Sequence, residues 1–308
     1  MKKRILLMAF VVTVIGWTSM AVYLRMAHEE FTTIPTWAKV EEFRFAGQDY
    51  HLVGPKQVNK HTKLLLFSYA TGITDVEKLE KIRWFKAYDP VFFKLAKANY
   101  VTLAPKLRHS NDGTVMKKAL SEIESILAMA YPKESPQKVR QMTADIGVFG
   151  HSQGGGTSIL LSNHPRIKAA AAIEPDCWNH IKFEQCIKAT QSSTPILLMA
   201  GGGDHFVPEC SIHDVALQAG SSPVSLVSHS DLDHINWMMG FLSDSHYGYH
   251  KAVSLQVKLW MDHHLRQKPL LAGVFQKPLE LVGCTVKERA FLQKISREYH
   301  LRYKKVSH

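Results

Sequence analysis

A serine, an aspartate and a histidine of this sequence have the residue types and the chain order needed for nucleophilic catalysis. Ser152 lies in GHSQGGG, Asp204 in GGGDHFVP and His234 in SDLDHINW. A serine hydroxyl becomes a strong nucleophile when a histidine accepts its proton and a carboxylate orients that histidine. We therefore predict Ser152 as the nucleophile, His234 as the general base and Asp204 as the orienting acid.

Each of these residues also has a purely structural interpretation. Ser152 can be an ordinary turn residue, Asp204 a loop carboxylate that caps the next helix, and His234 a surface histidine among the 17 of the chain. Asp176, which follows an earlier predicted strand, competes with Asp204 for the role of the acid. Near neighbours of the chosen acid and base are His205, His229 and Asp233.

The residues around Ser152 predict a sharp turn from a strand into a helix. An apolar run over 144–150 precedes the serine, and a helical pattern begins at Gln153. Gly150 and Gly154, two positions before and after the serine, allow the main chain to approach closely and leave the hydroxyl exposed above the sheet. The helix N-terminus at this point favours a developing negative charge.

Two backbone N–H groups are needed to stabilise the oxyanion of acyl transfer. The residue after the nucleophile, Gln153, is the expected first donor. The second donor is expected in the loop that follows the predicted strand Lys63–Ser68, where Ala70 is preferred and Tyr69 comes next.

Strands alternate with helices along most of the chain. This order predicts an α/β fold with a mostly parallel central sheet, helices on both faces and no large lid. Such sheets place their active sites at the carboxyl ends of the strands. The predicted strands are a hairpin over 37–56 that turns at 46–49, then 63–68, 99–107, 144–150, 167–175, 194–204 and 223–231. The predicted helices are 88–98, 114–130, 153–162, 211–220 and 249–265, with a proline-broken polar loop at 132–136 and an irregular segment after 175.

The N-terminus predicts export. Lys2, Lys3 and Arg4 precede a run of twenty uncharged residues, Ile5 to Leu24. A basic start followed by an apolar run is typical of a signal peptide, and the run is also long enough to be an uncleaved membrane anchor. We expect residues 1–24 to be one of the two, and 25–308 to be a single catalytic domain with a C-terminal extension from about 270. The protein would then be periplasmic, secreted or anchored to the membrane.

Four cysteines in an exported chain indicate disulfides. No C-x-x-C pair occurs, so neither a zinc site nor a thioredoxin-like motif is predicted. Of the three possible connectivities, we favour Cys177–Cys186 and Cys210–Cys284.

The chain is basic, with a formal net charge of +11 and a pI near 9.4. The charge stays positive, at +8, without the three basic residues of the N-terminus. Solvated surface explains most such charge, but attraction to an anionic membrane surface is a further possibility. We expect no nucleic-acid partner, because no supporting motif occurs and export argues against one.

Several segments resemble one branch of the α/β-hydrolases. The chain is similar to the bacterial cutinase-like polyester hydrolases and the dienelactone-hydrolase-like proteins, and more distantly to the platelet-activating-factor acetylhydrolases. The resemblance spans about 63–265 and implies that Trp178 contacts substrate. Tyr69, in the loop after the predicted strand Lys63–Ser68, is a second candidate for substrate contact. The segments that carry it are GHSQGGG (150–156), DHFVP (204–208), DLDHINW (231–237), AAAAIEPDCW ending at Trp178, and VKLWMDHHL ending at Leu265.

We predict hydrolysis of short-chain, lipid or phospholipid acyl esters through an acyl-enzyme, a mechanism that needs no metal or organic cofactor. The loop FSYATG departs from the Pro-Gly-aromatic turn of the cutinase-like enzymes, so activity on aromatic polyesters is not implied. Two alternatives stay open at this point. They are an acyltransferase that uses the same three residues with an alcohol acceptor, and a non-catalytic binding protein of the same fold.

Overall fold

The protein is described here by a computed structural model. Its described residues are 34–69, 84–106, 113–178, 181–204, 206–219, 223–229, 233–234, 244–269 and 285. The predicted signal or anchor segment 1–24, Ala70, Cys284 and the extension from about 270 (Thr285 apart) lie outside these residues, so the predictions made for them stay predictions. Among the helices of the described residues, none is long and apolar enough to cross a membrane.

Within the described residues, eight strands form one sheet in the order β1-β2-β4-β3-β5-β6-β7-β8. The β1–β2 and β2–β4 pairs are antiparallel, and all the other pairs are parallel, which confirms a mostly parallel sheet. The strands are β1 Ala38–Phe45, β2 Gln48–Pro55, β3 Lys63–Ser68, β4 Tyr100–Pro105, β5 Ile146–His151, β6 Ile167–Ile173, β7 Ile196–Gly201 and β8 Val224–His229.

Helices cover both faces of the sheet. The period-two alternation of a strand explains why, since successive side chains of β3 enter different cores. Leu64 and Leu66 pack on one side, whereas Leu65 and Phe67 pack on the other. The helices are α1 Asp89–Lys97, α2 Thr114–Ser121, α3 Ile123–Ala130, α4 Pro136–Thr143, α5 Gln153–Leu161, α6 Phe183–Thr190, α7 Glu209–Gln218 and α8 Asp244–Arg266, with a 3₁₀ turn at Trp84–Tyr88.

The two cores have different helical partners. Residues of α1 and α8 pack with Leu65 and Phe67, and residues of α2 to α7 pack on the opposite face. In the described residues, the helices between the parallel strands lie against the sheet, and no lid domain is present.

Three predicted segments are wrong in detail. The helix expected over 114–130 is interrupted at Glu122, where φ is −103° and ψ is 6°. The polar loop expected around Pro136 is instead the start of α4, because Ser135 caps the helix through Lys138 N–H and a proline is tolerated in the first turn. The segment expected to be irregular after 175 contains α6.

Candidate active site

The strand-to-helix turn predicted around Ser152 is present. β5 ends at His151, α5 begins at Gln153, and Ser152 between them has φ 55° and ψ −120°. A Cβ atom at Gly150 would overlap the carbonyl oxygen of Gly154, and one at Gly154 would overlap the carbonyl oxygen of Ser68. Both positions therefore require glycine for the turn to close, as the sequence pattern predicts.

Three side chains from three strand ends form a continuous hydrogen-bonded series. His234 Nε2 lies 2.9 Å from Ser152 Oγ. The other ring nitrogen, Nδ1, lies 2.7 Å from Asp204 Oδ2. In this geometry, the histidine can take a proton from the serine hydroxyl while the carboxylate fixes its tautomer.

The Asp204 carboxylate is held rigidly from its other side. Its Oδ1 accepts hydrogen bonds from the backbone N–H groups of Phe206 (2.7 Å) and Val207 (2.8 Å). The residue is 5% exposed, so water does not compete for these contacts. The competing acid, Asp176, instead accepts a hydrogen bond from the backbone N–H of Trp178 at 3.1 Å. The structure thus brings Asp204 to His234, as expected from the sequence.

The expected oxyanion donors are partly described. Gln153 is the first residue of α5, where backbone N–H groups have no helical acceptor. The backbone carbonyls of Ser68 and Tyr69 lie against Gly154, so the chain leaves β3 directly beside the serine turn. Ala70, the preferred second donor, follows at once but lies outside the described residues.

The two aromatic residues expected to contact substrate are largely buried. Tyr69 packs against Phe67 and Tyr88 at centroid distances of 4.9 and 5.4 Å, and burial raises the pKa of its phenol well above the ordinary value. Trp178 is 8% exposed and stacks on Phe183 at 4.4 Å. Substrate contact by either residue stays a prediction, and only a small part of each side chain is accessible for it.

A second polar group, which the sequence reasoning missed, lies behind His234. Glu174 follows β6 and is fully buried, with its Oε2 3.3 Å from His151 Nε2 and 3.8 Å from His234 Nδ1. Tyr88 Oη lies 3.0 Å from His151 Nδ1. Burial and the nearby His234 lower the pKa of His151 well below its ordinary value. In the sequence, Glu174 is recognisable only as the one carboxylate at the end of the apolar run AAAAIEP.

This second group also has the spacing of a metal site. In the described residues, one group of three possible metal ligands has all its ligand atoms within 4.8 Å of one another. It consists of His151, Glu174 and His234. His234 Nδ1 is already engaged by Asp204, however, so a metal there would compete with that hydrogen bond.

Cys177 and Cys186 form a disulfide, as expected from the sequence. The bridge joins the segment after β6 to α6 and so restrains the loop that carries Trp178. Cys210 is also disulfide-bonded. Its expected partner, Cys284, lies outside the described residues, and that pairing stays a prediction.

The sheet order, the glycine-flanked serine turn and the strand-end placement of His234 and Asp204 define an α/β-hydrolase. The chain belongs to the dienelactone hydrolase family, whose profile matches residues 51–265. Family and fold together make the protein a carboxylic-ester hydrolase. No significant match is found among curated proteins.

Solved structures share the fold at low sequence identity. Esterase B from Lactobacillus rhamnosis is 12% identical over 84% of this chain and 97% of its own, with a TM-score of 0.54. Est1E from Butyrivibrio proteoclasticus with bound ferulic acid is 17% identical over 73% and 99%, with a TM-score of 0.50. An acylaminoacyl peptidase from Pyrococcus horikoshii is 13% identical over 82% of this chain but only 45% of its own, with a TM-score of 0.54.

Proposed function

We propose that this protein is an exported serine hydrolase that cleaves carboxylic esters through an acyl-enzyme. The observation that carries the proposal is the hydrogen-bonded series Ser152–His234–Asp204, with distances of 2.9 and 2.7 Å. A serine placed on a strained strand-to-helix turn, with a histidine and a buried carboxylate in register, is the arrangement that activates a hydroxyl for acyl transfer.

The proposed reaction has two symmetrical halves. His234 Nε2 takes the Ser152 proton as Oγ attacks the ester carbonyl, and the tetrahedral oxyanion is stabilised by the backbone N–H groups of Gln153 and Ala70. His234 then protonates the leaving alcohol, and the acyl group stays on Ser152. Water then gives a proton to His234 Nε2 as its oxygen attacks the acyl carbon. His234 returns this proton to Ser152 Oγ when the ester bond breaks and the acid is released. Asp204 keeps the His234 Nδ1–H in place throughout.

One exposed side chain near the serine supports the proposed substrate class. Phe206 is 66% exposed, and its ring centroid lies 5.3 Å from that of His234. An exposed aromatic ring beside the general base supports binding of an apolar acyl or alcohol group. We propose short-chain, lipid or phospholipid acyl esters, and the net positive charge favours lipid substrates presented at an anionic surface.

Export is supported by two independent features. The first is the basic and then apolar N-terminus over 2–24. The second is the Cys177–Cys186 disulfide, because such bonds persist in oxidising compartments and are rare in the cytosol.

A fluorophosphonate probe tests the proposal directly, because it reacts with an activated serine far faster than with an ordinary one. We expect labelling to map by peptide mass to Ser152 and to disappear in Ser152→Ala and His234→Ala. Ser121→Ala, a change at an exposed serine of α2, should label as the wild type does. Labelling that is unchanged in Ser152→Ala would refute the proposed nucleophile. Rates on p-nitrophenyl esters of increasing chain length then define the acyl preference.

A further inference from the structure

Glu174 lies directly beside the serine turn, in a position that is energetically unfavourable for a glutamate. It follows the last residue of β6, it is fully buried, and its φ of 44° lies in the left-handed region that a side chain other than glycine rarely adopts. Its backbone N–H donates to Met199 O at 2.8 Å, while the preceding Ile173 O accepts from Ser152 N–H at 2.9 Å. The main chain therefore fixes the carboxylate close to the proposed nucleophile and base.

The His151 ring lies beside this carboxylate. The Tyr88 hydroxyl lies 3.0 Å from His151 Nδ1 and can donate to it, which leaves the proton of a neutral ring on Nε2. That Nε2 lies 3.3 Å from Glu174 Oε2. Burial and the nearby His234 hold the pKa of His151 well below its ordinary value, so the neutral ring does not cancel a negative charge on Glu174.

An ionised Glu174 would act on His234 through space and not through a hydrogen bond. At 3.8 Å, Glu174 Oε2 is too far from His234 Nδ1 for a hydrogen bond, and that nitrogen is already bound by Asp204. An ionic interaction at this distance is strong in a buried site, because little water screens it. The titratable side chains that the contacts place against His234 are Asp204, Glu174 and His151, and Asp233 precedes it in the chain.

We propose that Glu174 is a positioning residue for His234: a second buried carboxylate, beside His151, that shares with Asp204 the stabilisation of the imidazolium formed during acyl transfer. The inference rests on the proposed function, because it assumes that His234 is the general base. Glu174 does not touch the reacting atoms. Its effect is to favour the charged form of His234 in the transition state, from the same side of the ring as Asp204.

The pH dependence of kcat/KM separates this role from a structural one. Removing the negative charge in Glu174→Gln makes His234 harder to protonate, so the acid limb of the profile should move to lower pH by about half a unit to one unit. The kcat should fall about tenfold, while KM changes less than about twofold. Glu174→Asp keeps the charge and should restore the wild-type acid limb. Glu184→Gln, at an exposed glutamate of α6, is the matched control and should leave both quantities unchanged.

A double-mutant cycle tests whether the two carboxylates share one task. In the Asp204→Asn background, Glu174 is the remaining carboxylate against His234, so adding Glu174→Gln should cost more than it does in the wild type, by about tenfold or more. Additive losses with an unmoved acid limb would show that Glu174 only supports folding, and would overturn the inference. Unfolding midpoints of all variants show whether a loss comes from instability.

The outcomes also distinguish the two proposals. If His234→Ala keeps wild-type activity, the proposed function itself fails. If His234→Ala is inactive while Glu174→Gln behaves like Glu184→Gln, only the inference fails. Activity should survive treatment with EDTA. Loss of activity in EDTA with recovery on adding Zn²⁺ would instead make His151, Glu174 and His234 a metal site, and would also overturn the positioning role.

Discussion

At the scale of single residues, the acid is the position where two candidates from the sequence compete. Asp204 Oδ2 lies 2.7 Å from His234 Nδ1, whereas Asp176 accepts a hydrogen bond from the backbone of Trp178. Asp204→Asn should lower kcat/KM by about 10²- to 10⁴-fold, because an amide no longer holds the ring in the tautomer that accepts the serine proton. Steady-state rates on a p-nitrophenyl ester measure this loss.

Asp176→Asn is the matched control for that substitution. Its amide oxygen can still accept the N–H of Trp178, so activity should stay within a few-fold of the wild type once the unfolding midpoint is taken into account. Full activity in Asp204→Asn together with a large loss in Asp176→Asn would reverse the assignment of the acid.

The sequence predicted the members of the site that follow a recognisable pattern. Ser152 is marked by its flanking glycines, and Asp204 and His234 are marked by their order at strand ends. Glu174 has no such signal, since its proposed role depends on a distance to His234 that only the packing of β6 against the serine turn determines. Buried carboxylates without a local motif are therefore the residues that sequence reasoning misses.

At the scale of secondary structure, helix capping explains why the start of α4 was predicted as a loop. The run 132–136 contains two prolines and otherwise polar residues, which indicates a loop when hydrophobic periodicity is the only guide. Ser135 as the cap and Pro136 in the first turn instead begin α4, and Val139 and Met142 then pack on the sheet. The parallel strands were easier to predict, because β3, β5, β6 and β7 are buried on both faces and appear as continuous apolar runs.

One ion cluster joins α8 to the sheet. Asp262 Oδ1 accepts hydrogen bonds from Tyr100 Oη of β4 and from Arg266, both at 2.8 Å. Its Oδ2 accepts from Lys258 at 2.8 Å and from Lys268 at 3.0 Å. Burial alone would raise the pKa of the Asp262 carboxyl, but the hydrogen bonds from Lys258, Tyr100 and Lys268 and the charge of Arg266 lower it to about 2.

This lowered pKa predicts how stability depends on pH. A carboxyl with a pKa of about 2 in the folded protein and an ordinary value of 3.8 stabilises the fold above pH 4, and the contribution disappears as the pH falls from 4 to 2. At pH 6, Asp262→Asn should lower the free energy of unfolding by about 2 kcal/mol, measured by urea denaturation. The difference between variant and wild type should shrink towards pH 2.

The control for the Asp262 substitution is Asp145→Asn, which removes the charge of an exposed ion pair elsewhere on the sheet. The Asp145 side chain is 42% exposed and pairs with Lys63 at 2.8 Å. An exposed pair of this kind contributes less than about 1 kcal/mol, so the substitution should change stability little. A pH-independent loss in Asp262→Asn would show that its packing, and not its charge, stabilises the junction of α8 with β4.

At the scale of the whole molecule, export and oxidation of the cysteines are linked predictions. The Cys177–Cys186 bridge closes a loop with a sequence separation of 9, and a loop of this size restrains the unfolded chain by about 2–3 kcal/mol. That stabilisation is available only outside the reducing cytosol. The N-terminal segment 1–24 should therefore determine both where the protein is found and how stable it is.

Two forms of the chain test this link when they are expressed in the same bacterial host. The full chain should be recovered outside the cytosol, with its four cysteines protected from alkylation until a reductant is added. A chain that starts at Arg25 should stay in the cytosol with alkylatable thiols and a lower unfolding midpoint, and oxidation after purification should raise that midpoint. Mass spectrometry counts the alkylated cysteines in each fraction. A full chain that remains in the cytosol with free thiols would contradict export, because the N-terminal segment would not have directed the protein out of the cytosol.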